Sequence, residues 1–181
     1  MPDPPELLAV ARLLADAGAR PSDGQLRRAV STAYYAVFHR VLRAGVERFV
    51  GAGNAARPGY TLIYRGYSHG RIRAVCTALD AASLGANVQR QLKTSAASQD
   101  MRDFASAFVA LHANRQRADY DPQAAFSHSE TIATVAEAAS AIEAFDRKTD
   151  EERAASAYPP WRPDARPGEM AASVSSPYSR L

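Results

Sequence analysis

The sequence predicts an all-α protein, an up-and-down bundle of about five helices with a disordered C-terminal tail. Three observations predict it. Apolar residues recur at spacings of three and four in successive stretches, which marks one face of a helix. Ser22–Gln25 and Ser127–Glu130 are capping boxes standing ahead of two of those stretches. No stretch reads convincingly as a strand.

The first helix spans about Pro4 to Ala17, with Leu7, Leu8, Ala11 and Leu14 on one side, and stops at Gly18. Ser22 caps the second, which runs to about Val50. Its stripe is Leu26, Val30, Ala33, Val37, Val41 and Ala44, widened by Tyr34 and Phe38. Gly51-Ala52-Gly53-Asn54 ends it. Residues 51–67 have little apolar periodicity and read as a loop. Ser68 caps a third helix through about Ala82, with Ile72, Val75 and Leu79 facing inward. The polar stretch Ser83 to Ser98 reads as partly helical at most.

Met101, Phe104, Phe108 and Leu111 then mark a fourth helix, from about Gln99 to Arg115. Asp121-Pro122 is a turn, because proline disfavours helix at the residue before it. On the fifth helix Ile132, Val135, Ala139, Ile142 and Phe145 or Asp146 recur at three and four, and the helix extends to about Ala157. The expected core joins Phe104, Phe108, Leu111, Val37, Val41, Ile132, Val135 and Ile142. Residues 1–157 thus form one helical domain. Residues 158–181, rich in Pro, Ser and Ala, read as a disordered tail. Trp161 in that tail is either a docking element or part of a floppy terminus.

At 181 residues the chain suffices for one core and is short for two domains. Hydrophobic content of 46% with 23% charged residues is that of a soluble globular protein. There is no apolar run long enough for a transmembrane span, and Met1-Pro2-Asp3-Pro4-Pro5-Glu6 does not read as a secretory signal. The expected compartment is the cytoplasm, with no membrane partner. Cys76 stands alone among Ile72, Val75 and Leu79, which fits a small buried hydrophobe, and no metal-ligand spacing exists. No glycine-rich phosphate loop, dinucleotide fingerprint or Ser-His-Asp order is present, so neither metal nor cofactor is expected. Glu137 and Glu143 belong to the solvent face of the fifth helix. Small residues along the stripes bury little apolar area each, and dimerisation adds some, so a homodimer is expected.

The net charge of +3 is too small for a strong nonspecific polyanion binder. Positive charge concentrates in residues 51–100, with six basic and two acidic residues. From Arg57 to Arg73 the chain carries four arginines, three tyrosines, a histidine and no acid. Arginine binds phosphate bidentately and tyrosine stacks on unpaired bases, so Arg57, Tyr64, Arg65, Tyr67, Arg71 and Arg73 are candidate RNA contacts. The competing reading is a solvated loop whose tyrosines pack back on the bundle.

Arg115 draws attention for a different reason. It falls four residues after Leu111 and seven after Phe108, on the apolar stripe. A guanidinium stays charged and is rarely buried without a partner. Either it lies in a pocket, a subunit seam or a site, or the helix has ended and it snorkels to solvent.

Arg27-Arg28-Ala29-Val30-Ser31-Thr32-Ala33-Tyr34-Tyr35-Ala36-Val37-Phe38-His39, followed by Asn114-Arg115-Gln116-Arg117-Ala118-Asp119-Tyr120-Asp121, resembles the HEPN family of small helical domains. The resemblance spans roughly Glu6 to Arg147 and includes His69, where such proteins often carry a histidine. It implies a helical domain associated with RNA or with regulation, in a toxin–antitoxin or defence setting, often encoded beside a nucleotidyltransferase-like partner. Active members are metal-independent ribonucleases with an arginine and, after four to six intervening residues, a histidine. There the 2′-hydroxyl of RNA is the nucleophile, histidine moves the proton and arginine neutralises the phosphorane. Arg115 matches the arginine and Gln116 the polar residue that often follows it. The position five residues on is Tyr120, and no histidine stands five to seven residues after any arginine. The strict motif is absent, which leaves two expectations. One is an interaction module with a degenerate ribonuclease motif. The other is a ribonuclease at a homodimer seam in which Arg115, Gln116 and Tyr120 hold the phosphate and His39 or His112 carries the proton. Arg117, Asp119 and Asp121 have a further reading as a salt-bridge network that holds the turn in register.

Overall fold

A computed structural model of the chain describes residues 2–18, 20–53, 58–81, 84–86, 89 and 96–148. Among these there are six helices and no strand: α1 (Pro4–Ala15), α2 (Asp23–Val50), α3 (Pro58–Gly66), α4 (His69–Leu79), α5 (Gln99–Tyr120) and α6 (His128–Arg147). The fold is an all-α bundle. Helix α2 is its axis and packs against α1, α3, α5 and α6, while α4 rests on α5. None of the described helices is long and apolar enough to cross a membrane.

Local signals set most boundaries. The Ser22 hydroxyl accepts the Gln25 N–H while the Gln25 side chain accepts the Ser22 N–H, and Ser127 with Glu130 does the same at α6. Ser68 and Ser98 cap α4 and α5. Gly51 ends α2 at φ 85°, a backbone conformation costly for any residue with a Cβ.

Three expectations need correction. The stretch assigned to a loop contains α3. Pro58 opens it, and Tyr60, Ile63 and Tyr64 follow at helical spacing, so tyrosines supply much of the apolar face, with Tyr67 buried just past its end. Helix α5 runs past Arg115 to Tyr120 because Ala118 packs with Leu26, Val30, Ala124 and Phe126 in a second small core. The last helix is turned from the expected stripe. Ile132 is 37% exposed and Ile142 only half-buried, whereas Thr131, Thr134, Val135, Ala138 and Ala141 are buried. Small residues win that face because they let α6 approach the bundle closely. The buried threonine hydroxyls donate to backbone carbonyls one turn back, at Ser127 and Glu130.

Val37, Val41, Phe104, Phe108, Leu111 and Val135 do share the main core. Helix α1 ends at Ala15 and α4 at Leu79, each short of its expected end. The extension of the last helix to Ala157 and the tail with Trp161 lie outside the described residues, as do most of residues 82–95 and Arg57.

Candidate functional site

Arg115 sits in the C-terminal half of α5, on the face that meets α2, and is 8% exposed. Its Nη2 donates to Tyr35 Oη at 2.8 Å and to Tyr120 Oη at 3.3 Å. Its Nε lies 2.8 Å from Asp119 Oδ2, one helical turn on. The Nε–H is not aimed along that line, so the contact is an ion pair and not a directed hydrogen bond. The guanidinium also lies 5.5 Å from the Tyr35 ring centre and 5.1 Å from that of Tyr120. Burial opposes its charge, but the Tyr35 hydrogen bond and the fields of Tyr35, Asp119 and Tyr120 outweigh it, so it stays protonated. The other Asp119 oxygen accepts the Ser31 hydroxyl of α2. Tyr35 and Ser31 stand one turn apart on α2, which is why the R-x-x-x-D pair of α5 can be gripped from a single helix face.

Around Tyr34 and Tyr35 the fold gathers imidazoles from three helices. Tyr34 Oη and His69 Nδ1 share a hydrogen bond of 2.8 Å, and the His69 ring stacks on Phe38 at 4.0 Å between centres. Burial, then the charge of Arg115 and the neighbouring His112 and His39, pull the His69 pKa down to about 4. His112 packs edge-on to Tyr34, and its pKa is lowered by burial and then by Arg73 and Arg115. His39 stacks with Tyr35 and Tyr64 and shares a hydrogen bond with the Tyr64 hydroxyl; burial lowers its pKa too. All three rings are therefore held toward the neutral form. Burial raises the Tyr34 phenol far above its ordinary value, so it remains a neutral hydrogen-bonding group.

The arginine- and tyrosine-rich segment divides in two. Arg65, Arg71 and Arg73 are exposed, whereas Tyr67 is buried and Tyr64 half-buried. Burial raises both phenols to about 12. Tyr64 packs back on the bundle as part of the apolar face of α3, and Tyr67 is buried just past the end of that helix, so neither lies open for base stacking. Arg57 lies outside the described residues.

The A-D-Y-D segment also departs from the expected network. Arg117 is exposed and lies over the Phe126 ring at 5.3 Å, away from Asp119. The cation that pairs with Asp119 is Arg115. The cation that holds the turn is Arg27, which donates to the backbone carbonyls of Ala118 (3.2 Å), Asp121 (2.8 Å) and Ala124 while pairing with Asp23. The Asp121 carboxylate accepts the Gln123 N–H at 2.9 Å, a local turn contact.

The structure thus brings Arg115 and Tyr120 into contact, with Gln116 exposed on the same helix; His112 lies within the field of Arg115, and His39 stacks on Tyr35. Sequence reasoning missed Tyr35, the direct partner of Arg115, and undervalued Tyr34 and His69. Their signal was the Tyr34-Tyr35 pair itself, since adjacent helix positions face about 100° apart and one of the two reaches the α5 seam. Among the described residues, no three His, Cys, Asp or Glu side chains converge to hold a metal ion.

No family model, curated protein or solved structure matches this chain.

Proposed function

We propose that this chain is a HEPN-like, RNA-associated interaction module in which the remnant of a ribonuclease motif has become structural. One observation carries the reading: Arg115 is buried, ion-paired to Asp119 and hydrogen-bonded to Tyr35 and Tyr120. An arginine that neutralises a phosphorane needs its charge free for the transition state, and here Asp119 offsets that charge in the resting protein. The exposed Arg65, Arg71 and Arg73 supply sites for RNA phosphates. A homodimer, and a nucleotidyltransferase-like partner in a toxin–antitoxin or defence pair, fit the same reading. The test is incubation of purified protein with structured and unstructured RNA, with binding and cleavage followed together. Binding without cleavage is the expected result, and cleavage abolished by Arg115→Ala overturns it.

One observation favours a second reading, a metal-independent endoribonuclease. His69 and His112, within the field of Arg115, and His39, stacked on Tyr35, are all held toward neutral imidazole, the form that accepts a proton from a 2′-hydroxyl. On this reading cleavage survives EDTA, leaves a cyclic phosphate or 3′-phosphate end, and stops at a 2′-deoxy linkage. Cleavage that requires Mg²⁺ rejects it.

A further inference from the structure

Tyr120 is the last residue of α5 and is 68% exposed. An aromatic ring so open at a helix end is ordinarily mobile, yet this one is held from beneath. The Arg115 guanidinium lies 5.1 Å from its ring centre and donates to its hydroxyl at 3.3 Å. Arg115 is itself fixed by Tyr35 and Asp119. Arg27, gripping the carbonyls of Ala118 and Asp121 on either side of it in sequence, fixes the backbone. The outcome is a rigid aromatic surface backed by a cation, with most of its area open to solvent.

The local charge decides what such a surface takes. Arg115 is paired with Asp119 and Arg27 with Asp23, whereas Arg117, one turn before Tyr120, is exposed over the Phe126 ring. With Arg115 paired, the ring itself is offered to a flat neutral group, and an anion is left to the exposed arginines around it. More positive charge lies further along. Arg73 of α4 is exposed, and its field reaches His112, eight residues or about 12 Å before Tyr120 on α5. Arg71 and Arg65 follow on α4 and α3.

We infer that Tyr120 is a stacking platform for one unpaired nucleobase of a single-stranded RNA, with the sugar-phosphate chain leading away toward Arg73. This rests on the RNA-associated reading above and deepens it, replacing a phosphate-positioning hydroxyl with a base-reading ring. A base inside a duplex has no free face, so the site selects unpaired RNA. The ring is preorganised, so little ordering opposes binding. Stacking and phosphate contact are also physically separable, since only the second releases counterions.

The experiment measures binding of the full-length protein to a short unstructured fluorescent RNA across a salt series, beside a duplex of the same sequence. Tyr120→Ala is expected to weaken single-strand binding about 5- to 100-fold, by the same factor at every salt concentration. Tyr120→Phe, which keeps the ring, should bind close to wild type. Arg73→Ala should lower the slope of log K against log salt by about 0.7. Replacing one nucleotide with an abasic ribose should reproduce the Tyr120→Ala loss, and the two changes together should not add. RNA binding that Tyr120→Ala leaves unchanged overturns the platform alone. A changed salt slope in Tyr120→Ala, or a change in the mass of the free protein in sedimentation, overturns it by assigning Tyr120 to phosphate contact or to a protein interface. If the wild-type protein binds no RNA at low salt, the RNA-associated reading fails as well.

Discussion

Arg115 and Asp119 form an i,i+4 ion pair on α5, with Nε 2.8 Å from Oδ2, at a depth where neither side chain is more than 18% exposed. Surface pairs at this spacing contribute little, because water and salt screen them. This one lies against α2, where the Tyr35 hydroxyl accepts from Arg115 at one end and the Ser31 hydroxyl donates to Asp119 at the other, so it also joins two helices. Removing either partner leaves the other without its counter-charge in the seam, Arg115 with only the Tyr35 and Tyr120 hydroxyls and Asp119 with the Ser31 hydroxyl. Arg115→Ala should therefore destabilise the fold by about 3 kcal/mol, and Asp119→Ala by a similar amount. The double variant should cost less than the two singles together. Urea unfolding of the three proteins checks this, and simple additivity would mean that the pair is not coupled.

Stability should fall in mild acid. The His69 pKa is about 4 in the folded chain against 6.5 in the unfolded one, and those of His39 and His112 are lowered as well. The unfolded state therefore binds more protons between these values. The stabilisation is full above pH 6.5 and is lost as the pH falls through that window toward 4. Thermal unfolding against pH should show this slope, and His69→Gln should flatten it while lowering the Tm at pH 8. A wild-type Tm constant from pH 7 to pH 5 would contradict the assignment.

Arg27 offers a test of how Tyr120 is placed. It donates to three backbone carbonyls at the α5–α6 turn. Hydrogen bonds from a charged donor contribute about 1.5–3 kcal/mol each, and they are not additive at one guanidinium. Arg27→Ala should cost about 3 kcal/mol and raise hydrogen exchange locally, at residues 118–124. Uniform exchange change over the whole bundle would show that Arg27 does not act on the turn.

Glu137 was assigned to the solvent face and is half-buried instead, with a pKa raised by burial. Its charged form opposes folding at neutral pH. Glu137→Gln should raise the Tm at pH 7, and the gain should shrink as the pH falls through the raised pKa and vanish below the ordinary value of 4.5, where the wild-type carboxyl is neutral in both states. A Tm lowered at pH 7 would mean that the carboxylate has a favourable contact.

The helical fold and its caps were legible because they are local. Ser22–Gln25 and Ser127–Glu130 set their helix starts with groups three residues apart, and Phe104, Phe108 and Leu111 declare a buried face by spacing alone. Arg115 was legible for the same reason, as a charge on an apolar stripe. What spacing cannot supply is the partner across a seam. That Tyr35 receives Arg115, that Asp119 and not Arg117 belongs to the cluster, and that Arg27 spans more than ninety residues to hold the turn all depend on how α2 lies against α5. The same holds for the tyrosines of α3. Their chemistry suits RNA and core alike, and only the packing of α3 on α2 turns Tyr60 and Tyr64 inward and leaves the open ring to Tyr120. Sequence determined the helices and their apolar stripes, because those are set by neighbours three and four residues apart. Tertiary structure decided which polar groups meet, because their energies depend on burial and distance between segments far apart in the chain.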